Sequence, residues 1–191
     1  MHIVFGGSFN PPTIAHQHMI LKLHETFNQS RVLILPVGDD YTKPELIPIK
    51  HRINMLKLMI QDMKDVLISD IEGNRPWLGT LRSLEELSKD YSDLSFVIGS
   101  DNLKGLFTWI DYQTLLAKYP FIVMTRPGSL SKEEAEHMFL HLKHHFTFID
   151  FDEDISSTKV RQDIVNAAPF LSPEVYAYIM DHKLYKENSH V

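Results

Sequence analysis

The chain contains no cysteine. That absence excludes a disulfide framework, a thiolate nucleophile and every cysteine-based metal site. No apolar run is long enough to cross a bilayer, and the opening MHIVFGGSFN lacks the basic stretch and long apolar core of a signal peptide. A basic excess is missing as well. Nineteen Lys and Arg stand against 25 Asp and Glu, for a formal net charge of -6, which argues against a nucleic-acid partner. A GxGxxG fingerprint, a Walker loop and an HEXXH pair are all absent, so standard dinucleotide binding, P-loop binding and zinc-protease chemistry are not indicated.

What remains is an ordinary globular composition of 191 residues, 43% hydrophobic and 23% charged. That is enough for one core and too little for two full domains. The expectation is a single domain over residues 1–191, with C-terminal helices over 156–185 belonging to it. A cytoplasmic location without membrane contact is expected, and a homo-oligomer is left open.

Short β-rich runs alternate with helical stretches. Strands are expected over His2–Phe5, Arg31–Val37, Asp65–Ile71, Leu94–Ile98, Phe121–Thr125 and Phe146–Phe151. They are continuous in Val, Ile, Leu and Phe, as strands covered on both faces should be. Helices are expected over Ile14–Phe27, Ile49–Met63, Thr80–Lys89, Tyr112–Lys118 and Lys132–Lys143, with one more from Ser156 to Asn166 and a last one restarting at Ser172-Pro173-Glu174. This order predicts an α/β fold of Rossmann-like, doubly wound type, a mostly parallel sheet flanked by helices. Ligands in such folds bind at the carboxyl ends of the strands.

Two stretches carry chemistry. In Phe5-Gly6-Gly7-Ser8-Phe9-Asn10-Pro11-Pro12-Thr13-Ile14-Ala15-His16, a strand runs through two glycines into a helix start. The glycines allow close approach of a ligand, and the helix start offers unpaired N–H groups to an anion. His16 falls in the first turn, on the face of Ile20, Leu23 and Phe27, where it can donate to a phosphate oxygen. In Ile155-Ser156-Ser157-Thr158-Lys159-Val160-Arg161, a second helix opens on three hydroxyl residues, with Arg161 about one turn in. Either stretch alone reads better as a capped helix. Together, one near each end of the chain, they suggest two anion sites on one cleft.

These two stretches resemble the GGxFxPxHxGH and ISSTxIR motifs of the nucleotidylyltransferase superfamily. Further along, Lys43 in Tyr41-Thr42-Lys43-Pro44, His51-Arg52, Leu78-Gly79-Thr80-Leu81, Ile98-Gly99-Ser100-Asp101 with Trp109, and Arg126-Pro127-Gly128 are similar to segments of the nicotinate-nucleotide adenylyltransferases. The sequence departs from that pattern at Thr13 and Ala15, which replace the first His and the Gly of HxGH. It departs again at Arg75-Pro76-Trp77, near the start of the SYTxDT segment.

The resemblance implies transfer of AMP from ATP to nicotinate mononucleotide, with Mg2+ bound along with ATP. It implies catalytic roles for His16, Thr13, Lys43 and Arg161. ATP would meet Gly6, Gly7, Ser8, Phe9, His16, Gly99, Asp101, Ser156, Ser157, Thr158 and Arg161. The acceptor would meet Thr80, Trp109, Lys43 and Arg126. No metal ligand from the protein is expected. Phosphopantetheine or nicotinamide mononucleotide as acceptor, or a weakly catalytic nucleotide-binding regulator, remain alternatives. The crowded His137, His141, His144 and His145 read as an exposed polar helix face. The acids Asp150, Asp152, Glu153 and Asp154 read as a solvated turn. Met55, Met59 and Met63 recur every four residues, as core packing does.

Overall fold

A computed structural model describes residues 1–43, 45–125, 128–153 and 155–185. Six strands, β1 (His2–Gly7), β2 (Arg31–Pro36), β3 (Val66–Ile68), β4 (Leu94–Gly99), β5 (Phe121–Thr125) and β6 (Phe146–Asp150), form one sheet in the order β3-β2-β1-β4-β5-β6. Every pairing is parallel, so the expected mostly parallel sheet is parallel throughout. Among the described residues, seven α-helices connect and flank the strands: α1 (Ile14–Thr26), α2 (Ile49–Ile60), α3 (Thr80–Leu87), α4 (Tyr112–Lys118), α5 (Lys132–Met138), α6 (Ser157–Gln162) and α7 (Pro173–Asp181).

The alternation of side chains along the strands explains why both sheet faces are covered. Ile3 and Phe5 of β1, Val32 and Ile34 of β2, and Ile122 and Met124 of β5 join one core with Met19, Ile20 and Leu23 of α1, Met55, Leu56 and Met59 of α2, and Val175 and Ile179 of α7. The intervening Val4, Leu33, Leu35, Phe121 and Val123 join a second core with Leu81, Leu84 and Leu87 of α3, Leu115 and Leu116 of α4, and Ala135 of α5. Each fully buried Leu or Ile contributes about 1.5–3 kcal/mol. Met55 and Met59 lie in the first core and Met63 packs against it, as their spacing foretold. Among the described residues no helix is long and apolar enough to cross a membrane.

Several boundaries differ from expectation, with α2 ending at Ile60 rather than Met63 and α5 at Met138 rather than Lys143, so that His141, His144 and His145 lie beyond the helix. β1 continues through Gly6 and Gly7, which pair with Leu35 and Pro36. β3 is a three-residue edge strand rather than seven, because it has a neighbour only in β2. The helix expected from Ser156 to Asn166 is two pieces, α6 and a 3-10 turn at Ile164–Asn166, separated where Asp163 leaves helical geometry at φ -142, ψ 67. The last helix begins as read, with the Ser172 hydroxyl accepting from the Val175 N–H at 3.3 Å and Pro173 in the first turn.

Between β1 and β4 the chain switches from winding one way across the sheet to winding the other. Open α/β sheets bind their ligands beyond the strand ends at such a switch point.

Candidate active site

A cleft of about 660 Å3 opens at that switch point, beyond the ends of β1 and β4. It is bordered by Gly6, Gly7, Ser8, Phe9 and His16 from the first turn, by Gly99 and Asp101 after β4, and by Ser156, Ser157 and Thr158 at the start of α6. Thr80, Trp109 and Lys43 border it too. Segments near the two ends of the chain therefore share one cavity. A direct bond ties them, since the Ser157 hydroxyl donates to the Pro11 carbonyl at 2.7 Å.

His16 is the third residue of α1, and its ring reaches back to the residue that caps the helix. The Thr13 backbone N–H donates to His16 Nδ1 at 3.0 Å. A backbone amide can only donate, so Nδ1 is the acceptor nitrogen and the proton of the neutral ring sits on Nε2. The arrangement is a capping box with imidazole in place of the usual Glu or Gln. The rings of Phe5 and Phe9 flank the imidazole at 6.0 and 5.1 Å. Phe9 is 1% exposed and sits at φ 46, a left-handed geometry that costs an ordinary residue free energy and that the surrounding packing holds in place. Gly6 is required for a related reason: a Cβ there would lie 2.9 Å from the Phe96 ring.

Thr13 was expected to donate to a phosphate. It is 1% exposed, and its hydroxyl lies 2.9 Å from His16 Nδ1. Turned inward by the cap of α1, the hydroxyl is placed to orient the imidazole.

Arg161 also departs from expectation. It is 7% exposed. Nη1 donates to the Asn10 carbonyl at 2.7 Å and Nε to Glu45 Oε2 at 3.3 Å. The guanidinium thus bolts the Asn10–Pro11 turn to the loop after β2 and does not border the cleft. The physical reason is the turn itself, whose carbonyls face α6 and need a donor. Its charge still reaches the cleft. Desolvation first, then repulsion from Arg161 and Arg52, holds the Lys43 ammonium below the usual lysine value. Lys43 Nζ donates to Ser8 Oγ at 2.9 Å. A polyanion entering here would relieve three mutually repelling cations.

Of the residues expected to meet the acceptor, Thr80 opens α3 and Trp109 packs edge-on against Phe96 at 6.1 Å. Arg126 lies outside the described residues. A smaller hollow of about 420 Å3, bordered by Ser100, Lys104, Gly128 and Ser129, adjoins the main cleft at Asp101. The Gly99 position is crowded by Asp101 itself, whose carboxylate would lie 2.3 Å from a Cβ placed there.

Several residues of the site carry no expectation from the sequence. Asn10, wholly buried, donates to the Glu45 carbonyl at 2.8 Å and accepts from the Tyr185 hydroxyl at 2.9 Å. Burial pushes the Tyr185 phenol far up. Arg52, also wholly buried, joins Ser8 to the same loop. Glu72 borders the cleft at 4% exposure, with one oxygen accepting from the Ser83 hydroxyl at 2.6 Å. The acids after β6 are not a purely solvated turn: Glu153 pairs with His18 at 2.5 Å, while Asp154 lies outside the described residues. His144, in the histidine-rich segment, is paired with Glu136 at 3.0 Å.

Burial raises the Glu72 carboxyl pKa, and Ser83, Arg75 and the Gly38 amide only partly oppose it. A carboxyl raised on folding favours its neutral form in the native state. It therefore leaves stability intact below its unfolded value and destabilises as pH climbs from there through the native value. Thermal midpoints measured from about pH 5 to about pH 8 should fall for the wild type and fall less for Glu72→Gln. Equal slopes for the two proteins would remove Glu72 from this account.

Residues 4–163 match the family model described as cytidylyltransferase-like. A protein of Acholeplasma laidlawii (strain PG-8A) named "Probable nicotinate-nucleotide adenylyltransferase" is 40% identical over 188 residues, covering 98% of either chain. A protein of the same name from Caldicellulosiruptor bescii is 33% identical over 193 residues, 96% of this chain and 97% of the other. The fold is that of a Plasmodium falciparum nicotinic acid mononucleotide adenylyltransferase complexed with NaAD, with a TM-score of 0.80 at 22% identity over 99% of this chain and 98% of that one. By sequence over nearly its whole length, the chain belongs to the cytidylyltransferase-like family and, within it, to the nicotinate-nucleotide adenylyltransferases.

Proposed function

We propose that the cleft transfers AMP from ATP to nicotinate mononucleotide, yielding nicotinate adenine dinucleotide and pyrophosphate. The observation that carries the reading is His16, whose proton is fixed on Nε2 by the Thr13 amide, in a cleft shared by the first turn, the end of β4 and the start of α6.

The chemistry asks for positioning more than for a base. The acceptor phosphate is already an anion. It attacks the α-phosphorus in line, a new P–O bond forms, and the bond to the pyrophosphate oxygen breaks. The protein must bring two anions together and stabilise charge on the α-phosphate and the leaving group. His16 Nε2–H donates to the α-phosphate. Lys43 serves the phosphates from the loop after β2. Ser156, Ser157 and Thr158 border the triphosphate, Gly99 and Asp101 border the ribose, and the hollow beside Asp101 gives the adenine room. Thr80 and Trp109 receive the acceptor ring. Arg161 contributes as a buried charge and as a tie for the Asn10–Pro11 turn, with guanidinium N–H groups beyond those bonded to Asn10 and Glu45 left to meet a phosphate.

Mg2+ would accompany ATP and neutralise phosphate charge, with phosphate and water oxygens as its expected ligands. Among the described residues no group of three His, Cys, Asp or Glu is placed to hold an ion.

The deciding experiment is pyrophosphate release with ATP or CTP and a panel of acceptors. ATP with nicotinate mononucleotide should give the highest kcat/KM, ahead of nicotinamide mononucleotide, and phosphopantetheine should give none. Binding of ATP without pyrophosphate from any acceptor would replace this reading with that of a nucleotide-binding regulator.

A further inference from the structure

Beyond α7 the chain turns back into the molecule. The Leu184 N–H donates to the Ile179 carbonyl at 3.0 Å, and Lys183 and Tyr185 sit at φ 53 and 63. Residues other than glycine keep such left-handed values only where the surroundings hold them. Here Leu184 and Tyr185 pack against the first core. The turn carries the Tyr185 hydroxyl to Asn10, 175 positions earlier, where it donates to Oδ1 at 2.9 Å.

Asn10 is wholly buried. Its Oδ1 also accepts from the Ile47 N–H at 3.3 Å, its Nδ2 donates to the Glu45 carbonyl at 2.8 Å, and its own carbonyl accepts from Arg161 at 2.7 Å. The loop after β2, α6 and the C-terminal turn therefore all fasten on one residue of the first turn. The residue before it is Phe9, at φ 46, whose ring lies 5.1 Å from the imidazole of His16. Burial raises the Tyr185 phenol far above the usual tyrosine value, against the pull of Arg161 and Arg52, so the hydroxyl keeps the proton it gives to Asn10.

We propose that Tyr185 is a positioning residue for adenylyl transfer, its hydroxyl holding the His16 imidazole at its working angle through Asn10 and Phe9. This rests on the adenylyl-transfer reading of the cleft, in which His16 Nε2–H is the donor. Tyr185 is not among the residues that border the cleft, so its effect on the reaction passes through the first turn. Helix α7 has a separate tie to α2, because the Tyr178 hydroxyl accepts from Asn54 Nδ2 at 3.0 Å and lies 3.0 Å from His51 Nδ1. Loss of the Tyr185 hydroxyl alone therefore leaves the helix docked, and Ile47 still donates to Asn10.

The test is a double-mutant cycle on the full chain, read by pyrophosphate release with ATP, magnesium and nicotinate mononucleotide. Tyr185→Phe should fold and should lower kcat about fivefold, with both KM values within about twofold of wild type. In a His16→Ala background the same change should leave kcat where His16→Ala alone puts it, since groups that act through one another are not additive. Tyr178→Phe is the contrast: it should lower the thermal midpoint and leave kcat at the wild-type value. Wild-type kcat in Tyr185→Phe would overturn the proposal. A full fivefold loss repeated in the His16→Ala background would overturn it too, and so would an equal kcat loss in Tyr178→Phe, the mark of a merely loosened fold. If the wild type turns over nicotinate mononucleotide while the cycle fails, the adenylyl-transfer reading stands and Tyr185 is lost from it. If the wild type releases no pyrophosphate with any acceptor, both fall together.

Discussion

Replacing His16 by alanine is expected to lower kcat about 10²- to 10³-fold, the usual consequence of removing one donor aimed at charge that develops in the transition state. The KM values for ATP and acceptor should move little, because the contact strengthens mainly as the α-phosphate becomes pentacoordinate. The fold should survive. His16 is partly exposed, and what its loss frees is the Thr13 N–H at a helix start, a capping defect costing about 1 kcal/mol. Thr13→Val provides the contrast. It deletes the hydroxyl 2.9 Å from His16 Nδ1 but keeps the backbone N–H that fixes the tautomer. Its kcat should fall by about tenfold or less, since Nε2 keeps its proton and loses only some orientation. Near-wild-type kcat in a folded His16→Ala protein would remove the imidazole from the mechanism. Equal losses in the two variants would mean that Thr13, despite its burial, meets substrate.

The same capping box shows how far the sequence could be read. Thr13 before Ile14 and His16 in the first turn are legible as a helix start, and the lack of GxGxxG or Walker spacing ruled out the wrong phosphate motifs. The use of a histidine ring to satisfy the capping residue's own N–H is not legible, because His is not an expected partner in that box. The sequence alone gives Thr13 and His16 parallel roles on phosphate, whereas the fold also sets one to orient the other. The setting of Arg161 is hidden for a similar reason. Its place one turn into a Ser-capped helix was right, yet nothing local reveals that the Asn10 carbonyl, 151 positions earlier, needs a donor.

The sheet was easier. Parallel strands buried on both faces read as unbroken apolar runs, and most of the strands lie within one residue of where those runs fall. Errors gathered where pairing rather than composition decides. Gly6 and Gly7 have little strand propensity but belong to β1 because β2 supplies partners beside them. The run at 65–71 is apolar enough for a long strand, but it lies at the sheet edge and pairs only through Val66, Leu67 and Ile68. Tertiary context overrode local preference in both places.

Arg52, which the sequence offers only as part of the His51-Arg52 match, carries a structural signal beyond that match. It lies on α2 with Met55, Leu56 and Met59, all buried, so an apolar stripe carries one cation at its head. Such a residue is almost never fully buried unless it is paired, and the structure supplies the partners. Nε donates to the Ile47 carbonyl at 2.9 Å, Nη1 to the Ser8 carbonyl at 3.1 Å and Nη2 to Asp39 Oδ1 at 3.1 Å. Burial pulls the guanidinium pKa down and Asp39 opposes it, but an arginine keeps its charge in any case. Arg52→Met retains much of the volume while deleting all three donors. Two inward-facing carbonyls then lose a partner at about 1–3 kcal/mol each, for a total loss of about 3–5 kcal/mol. Set against a net stability of about 5–15 kcal/mol, that should shift the urea midpoint markedly at an unchanged m-value. Arg52→Lys should rescue only part, since one ammonium cannot span three acceptors set out for a planar fork. Because Ser8 also receives Lys43, a slackened Ser8 turn should raise the KM for ATP more than it lowers kcat in any Arg52 variant that remains folded at the assay temperature. A wild-type urea midpoint for Arg52→Met would show that the loop after β2 is held to the first turn by something other than this guanidinium.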